Sequence, residues 1–232
     1  MPNEYQFDNS NALANTLAEH VSDNLVTAIN ERGKAGIVVS GGRTPLLFFS
    51  ALSERPLEWS SVWITLADER WVDTTHSDSN EAMVHKHLLR KSARSARFVG
   101  LKNDAATPFD GERQCEATLS VLPHPFDIVL LGMGDDGHTA SLFPGSPELT
   151  RALDMQSGRF CMSVTPPAAP HLRMSLTLPA LLNSRRIVLL FSGANKYDIY
   201  RRALMENGSV EALPIRAILH QNQVPVDVYW SK

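Results

Sequence analysis

Short apolar runs that do not alternate with polar residues recur along this chain, separated by longer amphipathic stretches. That rhythm constrains the fold more than any other feature. The runs fall at residues 37–39, 62–66, 98–100, 128–131, 160–164, 172–176, 187–191 and 226–230. A strand with one solvated face alternates, whereas a strand that is apolar throughout is covered on both faces. Between the runs, residues 10–31 set Leu13, Leu17, Val21, Leu25 and Ile29 four apart, one stripe along a helix. Thr44-Pro45 opens a second helix, since proline suits a first helical turn, and residues 77–91, 108–121 and 194–206 read as further helices. This alternation predicts an α/β fold: a doubly wound, mostly parallel, Rossmann-like sheet with helices on both faces. Ligands in such sheets lie beyond the carboxyl ends of the strands, where the strand order reverses.

No repeat or composition shift divides the 232 residues, so residues 1–232 read as a single domain. Pro166-Pro167-Ala168-Ala169-Pro170 is a rigid loop and the candidate internal hinge. A formal charge of −3 excludes a broadly basic surface, so neither nucleic acid nor an anionic membrane is an expected partner. Cys115 and Cys161 lie in different segments without CxxC spacing, which fits a reducing compartment rather than a disulfide framework. Met1-Pro2-Asn3-Glu4-Tyr5 lacks the basic and apolar regions of a signal peptide, and no apolar run approaches the ~20 residues that span a bilayer. The expected location is cytoplasmic, and the sequon Asn207-Gly208-Ser209 is a chance match.

The candidate chemistry falls at strand ends. Ser40-Gly41-Gly42-Arg43-Thr44-Pro45 is a small-residue turn between a strand and a helix. Paired glycines let backbone N–H groups approach an anion, and a helix N-terminus adds partial positive charge. The same segment would also serve as a plain tight turn, since the spacings of a Walker loop and of a dinucleotide fingerprint are absent. Asp68-Glu69-Arg70-Trp71-Val72 follows the run at 62–66. Arg70 is suited to bidentate phosphate binding, and Asp68 to orienting a hydroxyl or acting as a base, although a surface Asp–Arg pair is the alternative. In His76-Ser77-Asp78-Ser79-Asn80, Ser77 or Asp78 is expected to cap the next helix.

The densest segment runs from Gly132-Met133-Gly134-Asp135-Asp136-Gly137-His138 through Pro144. A turn needs one glycine, not three, and gains nothing from adjacent carboxylates. Histidine titrates near neutrality and is the usual general acid or base. Asp136 is placed to orient His138, and a helix starting at Thr139 is expected to help keep the imidazole neutral. Asp136 and His138 could both ligate a metal ion, but two ligands are too few to define a site. Arg173, on an apolar strand, and Lys196, after a glycine turn, complete a set of anion-binding elements.

Together the segments 40–45, 68–72 with 76–80, 131–144, and 173–176 with 193–196 resemble the compact bacterial 6-phosphogluconolactonases, whose fold is akin to that of the glucosamine-6-phosphate deaminases. The resemblance implies hydrolysis of 6-phospho-D-glucono-1,5-lactone in the oxidative pentose phosphate pathway, with no cofactor. It implies His138 as the water-activating base, with Asp136 and Asp68 beside it. Gly41, Gly42, Thr44, Arg70, Asn80, Arg173 and Lys196 would hold the phosphorylated sugar lactone. The expected assembly is a monomer or small homo-oligomer. Two rivals share the fold. The amino-sugar phosphate isomerases and deaminases carry a glutamate five residues after the motif histidine, where this chain has Phe143. Sugar-phosphate sensor domains of repressors follow a helix-turn-helix, for which a first core helix starting near residue 10 leaves no room.

Overall fold

The computed structural model of the chain describes residues 2–232. Ten strands are formed: β1 (Asn3–Phe7), β2 (Ala35–Val39), β3 (Val62–Leu66), β4 (Asp68–Arg70), β5 (Arg97–Val99), β6 (Ile128–Leu131), β7 (Cys161–Val164), β8 (Arg173–Leu176), β9 (Ile187–Ser192) and β10 (Val226–Ser231). The α-helices are α1 (Ser10–Arg32), α2 (Leu46–Ser53), α3 (Asn80–His87), α4 (Pro108–Leu119), α5 (Leu149–Leu153), α6 (Leu178–Leu182), α7 (Ala194–Leu204) and α8 (Arg216–Leu219). Seven strands form one parallel sheet in the order β1-β10-β9-β6-β2-β3-β5. Every residue of β2 and β6 is buried. Because successive side chains of a strand point to opposite faces, helices must cover the sheet on both sides, as the apolar runs predict.

The helices obey the same local chemistry. In α1 the buried stripe Leu13, Leu17, Val21 and Leu25 faces the sheet side, Asn9 accepts from Ala12 N at 2.9 Å as the N-cap, and Gly33 ends the helix at φ 73°. Its last predicted stripe residue, Ile29, is only partly buried against the core.

Three expectations are corrected. The runs at 160–164 and 172–176 do not join the parallel sheet. β7 and β8 pair antiparallel with each other, and β4 adds to β8, as a separate three-stranded sheet. The proline-rich loop therefore closes a hairpin whose flanks, Val164 and Arg173, pair directly, so it does not act as a hinge. Finally, α3 starts at Asn80, with Ser79 as its cap, because the Ser79 hydroxyl accepts from Ala82 N at 3.1 Å. Asp78 is engaged elsewhere, with His171 at 3.0 Å.

The strand order defines where a ligand belongs. From β2 the chain winds outward through β3 and β5, and from β6 it winds the opposite way through β9 and β10. The reversal lies between β2 and β6, and the glycine-rich segments leave the carboxyl ends of those two strands.

Candidate active site

A cavity of about 620 Å3 sits over this reversal. Its wall comes from the carboxyl ends of three adjacent strands, β9, β6 and β2, with the segments that follow them, and from β4 and the first residue of α3. Of the residues expected from sequence, Gly41, Gly42, Thr44, Asp68, Arg70, Asn80, His138 and Lys196 line it, and Asp136 and Arg173 do not.

After β2 the backbone turns at Gly42, whose φ of 99° favours glycine. At Gly41 the reason is space, since a Cβ there would lie 1.9 Å from Asn80 Oδ1. The Ser40 hydroxyl donates to Leu130 O at 2.9 Å, tying the two loops together across the reversal. Arg43 also lines the cavity, although nothing in its sequence context marked it as a site residue.

The loop after β6 folds back on itself. Gly134 N donates to His138 O at 2.8 Å and Gly137 N to Gly134 O at 3.1 Å, so these two N–H groups are unavailable to a substrate. Within the loop, Asp136 Oδ1 accepts from the His138 backbone N at 3.1 Å and lies 2.5 Å from His138 Nδ1. Burial pushes the Asp136 carboxyl up, but the hydrogen bonds and charge of His138 outweigh it and hold the group below the ordinary carboxylate range. The carboxylate can only accept, so Nδ1 carries a proton, and in the neutral ring the lone pair therefore lies on Nε2. Among the described residues Nε2 has no protein partner. The ring leans on Phe143, with centroids 4.3 Å apart. Replacing Asp136 with asparagine removes the charge that fixes this tautomer. We expect kcat to fall about tenfold or more with KM little changed, a split that steady-state kinetics resolves.

No helix begins at Thr139, contrary to the sequence expectation. Residues 139 and 142 form an antiparallel bridge, and Ala140 sits at φ 48°. The hydroxyls draw the chain out of a helical path: Thr139 Oγ1 donates to Gly132 O at 2.9 Å, and Ser141 Oγ to Asp68 Oδ2 at 2.6 Å. Pro144 disfavours a helical residue before it as well. The imidazole is thus conditioned by Asp136 rather than by a helix dipole.

On the opposite wall, Asp68 is nearly buried and accepts from Ser141 Oγ and, at 3.2 Å, from Asn80 Nδ2. Its neighbour Glu69 escaped the sequence reading. Glu69 is fully buried and accepts from Arg70 N, Asn80 N, Glu81 N and the Ser79 hydroxyl at 2.7–3.0 Å. Burial raises its carboxyl above the ordinary range, and the three backbone N–H groups pull against that shift. Glu69 thereby pins the N-terminus of α3, and with it Asn80, to the cavity wall.

The cations are set around these groups. Arg70 Nη1 donates to Asp78 O at 2.5 Å, while its buried Nε has no partner. Lys196, in the first turn of α7, donates to Met133 O at 2.6 Å and pairs with Asp135 at 3.0 Å. Arg173 pairs with Arg70 across β4 and β8 and lies 6.0 Å over the Phe143 ring, with Nε and Nη1 unpartnered. Burial draws its guanidinium below the ordinary arginine range, and Asp68 opposes that shift. Among the described residues no group of three or more His, Cys, Asp or Glu side chains is placed to hold a metal ion.

A histidine held by a carboxylate, in one cavity with arginine and lysine side chains at a strand-order reversal, is an arrangement capable of acid–base chemistry on a small anionic substrate. The family model of glucosamine-6-phosphate isomerases and 6-phosphogluconolactonases matches residues 8–230, and the chain belongs to that family. The chain is 43% identical over 226 residues to the 6-phosphogluconolactonase of Pseudomonas putida, an alignment covering 97% of this chain and 91% of that protein. It is 41% identical over 219 residues to that of Mesorhizobium japonicum, covering 94% and 91%. The crystal structure of a 6-phosphogluconolactonase from Shewanella baltica superposes with a TM-score of 0.97 at 47% identity, covering 100% of this chain and 98% of that one. A monomeric glucosamine-6-phosphate deaminase, 22% identical with a TM-score of 0.76, shares the fold.

Proposed function

We propose that this protein hydrolyses 6-phospho-D-glucono-1,5-lactone to 6-phospho-D-gluconate, with His138 as the base that activates water. The observation that carries the reading is the His138 ring itself. Its Nδ1 is held by Asp136, its Nε2 is free at the cavity, and its neighbour at position 143 is a phenylalanine. Ring opening and deamination of an amino sugar call on a carboxylate at that position. Hydrolysis of a lactone calls only on one base that takes a proton from water and returns it to the ring oxygen as the C–O bond breaks. The full-length similarity to 6-phosphogluconolactonases supports the same reading.

The remaining residues act by holding the substrate. The backbone at Gly41 and Gly42, with Thr44, Arg70 and Lys196, anchors the phosphate, and Arg173 adds positive charge from behind Phe143. Holding a remote phosphate supplies binding energy that orients the reacting carbon. Both oxygens of Asp68 accept hydrogen bonds within the protein, which fixes the carboxyl group in place to accept a substrate hydroxyl. Asn80 keeps Asp68 in place. The cavity draws on both sheets, which supports reading residues 1–232 as one domain. Among the described residues no helix is long and apolar enough to cross a membrane. The reading includes a cytoplasmic location and a monomer or small homo-oligomer, since every group the reaction needs comes from one chain.

Two measurements test this account. Purified protein offered the lactone and glucosamine 6-phosphate in parallel should release acid from the first and no ammonia from the second; ammonia release would favour the deaminase reading. Arg70→Ala should raise KM about tenfold or more with kcat largely kept, because phosphate anchoring is shared by the ground and transition states. An unchanged KM would make Arg70 structural.

A further inference from the structure

A second groove of about 510 Å3 adjoins the active-site cavity and shares Gly42, Arg43, Arg70 and Asn80 with it. Its wall carries Arg43, Arg70, Lys86, His76 and His87, and no carboxylate lines it, in a chain of formal charge −3. Among the described residues, neither Arg43 nor Lys86 forms an ion pair or a side-chain hydrogen bond. The adjoining acids are engaged elsewhere: Asp73 accepts from Thr75 Oγ1 at 2.6 Å, and Asp78 binds His171 at 3.0 Å and lies 4.0 Å from His76. Burial, followed by the charges of Lys86 and Arg90, holds the His87 ring below its ordinary range, as expected in a positive field. Leu46, Ala82 and Met83 give the same groove an apolar portion. A bare phosphate would leave most of this volume empty, since cavities of about 300–1,000 Å3 hold whole small organic ligands.

We infer that this groove is a second anion site, adjoining the catalytic one and meeting it at Arg43 and Arg70, for an organic phosphate whose apolar part rests on Leu46 and Met83. Arg43 and Lys86, the exposed cations of this wall, have no protein partner among the described residues, so a phosphate ester gains charge-assisted hydrogen bonds there at little desolvation cost. Because Arg43 and Arg70 border both cavities, an occupant would bias the position of side chains at the catalytic rim.

Calorimetric titration with phenyl phosphate, in the presence of saturating 6-phosphogluconate to fill the catalytic cavity, tests the assignment. Phenyl phosphate should still bind, more tightly than inorganic phosphate. Lys86→Glu should weaken binding at least tenfold while leaving lactone turnover unchanged, whereas Lys34→Glu, at the other end of β2, should leave binding as it is. The inference is overturned if binding disappears once 6-phosphogluconate is present, if Lys86→Glu binds as the wild type does, or if inorganic phosphate binds equally well. Should the protein fail to turn over the lactone, the Lys86 and Lys34 comparison still decides whether the groove binds the anion.

Discussion

Replacing His138 with alanine is expected to lower kcat for lactone hydrolysis by about 10²- to 10⁴-fold, the usual contribution of a positioned general base. KM should change little, because the groups proposed to anchor the phosphate lie on other segments of the chain. Stability should also change little: the side chain is 31% exposed, and its one strong partner, Asp136, is 48% exposed. Thermal melting and steady-state kinetics on the same preparation separate these outcomes. A variant that melts like wild type and keeps full activity would remove His138 from the chemistry while leaving the family assignment intact. Part of the wild-type rate must be measured against spontaneous opening of the lactone, so the comparison is made on the catalysed increment.

Gly134→Ala is expected to produce the second largest loss, without touching any reacting group. A Cβ at residue 134 would lie 2.1 Å from His138 Nδ1 and 2.6 Å from Asp136 Oδ1, so both members of the pair must move. The obstacle is space, since Gly134 is not among the glycines with positive φ and alanine fits its backbone. Misplacing a catalytic group by about 1 Å commonly costs ~10²-fold in rate. We therefore expect kcat to fall by about that factor with the melting temperature nearly kept. Activity equal to wild type would mean that the ring does not need its observed seat. Gly41→Ala offers a contrast, because its Cβ would strike Asn80 instead and should disturb substrate binding before catalysis.

The parallel sheet was legible because its central strands are apolar throughout, a pattern that few other environments produce. β1 was not, because four of its five residues are exposed and it lies at the sheet edge. What fixes it is tertiary: Tyr5 pairs with Tyr229 of β10, and their rings stack at 4.7 Å. β4 was hidden for the opposite reason. Asp68 and Glu69 are charged residues that fold inward only because their partners wait there, and apart from Arg70 N those partners are 10 to 73 residues away in the chain. The runs at 160–164 and 172–176 read as strands but carried no sign of which sheet they would join, since burial on both faces is common to both sheets.

At the site, the glycines and His138 were legible because their spacing is unusual for a turn. The support beneath them was not. Ser141 reads as one small residue among several until its hydroxyl is seen on Asp68, and Glu69 reads as a surface acid until four donors converge on it. The helix expected at Thr139 failed for a related reason: its hydroxyl bonds back to Gly132 within the loop, and that of Ser141 bonds to Asp68 across the fold. Arg173 was legible as a buried cation, yet its place behind Phe143 rather than at the cavity wall depended on the pairing of β4 with β8.

The most direct test of the account follows acid release in a pH-stat from freshly generated 6-phospho-D-glucono-1,5-lactone, with and without the purified protein. The account predicts a rate above that of buffer that rises in proportion to protein concentration. Acid release no faster than in buffer, from protein that is folded by its melting transition, would contradict it.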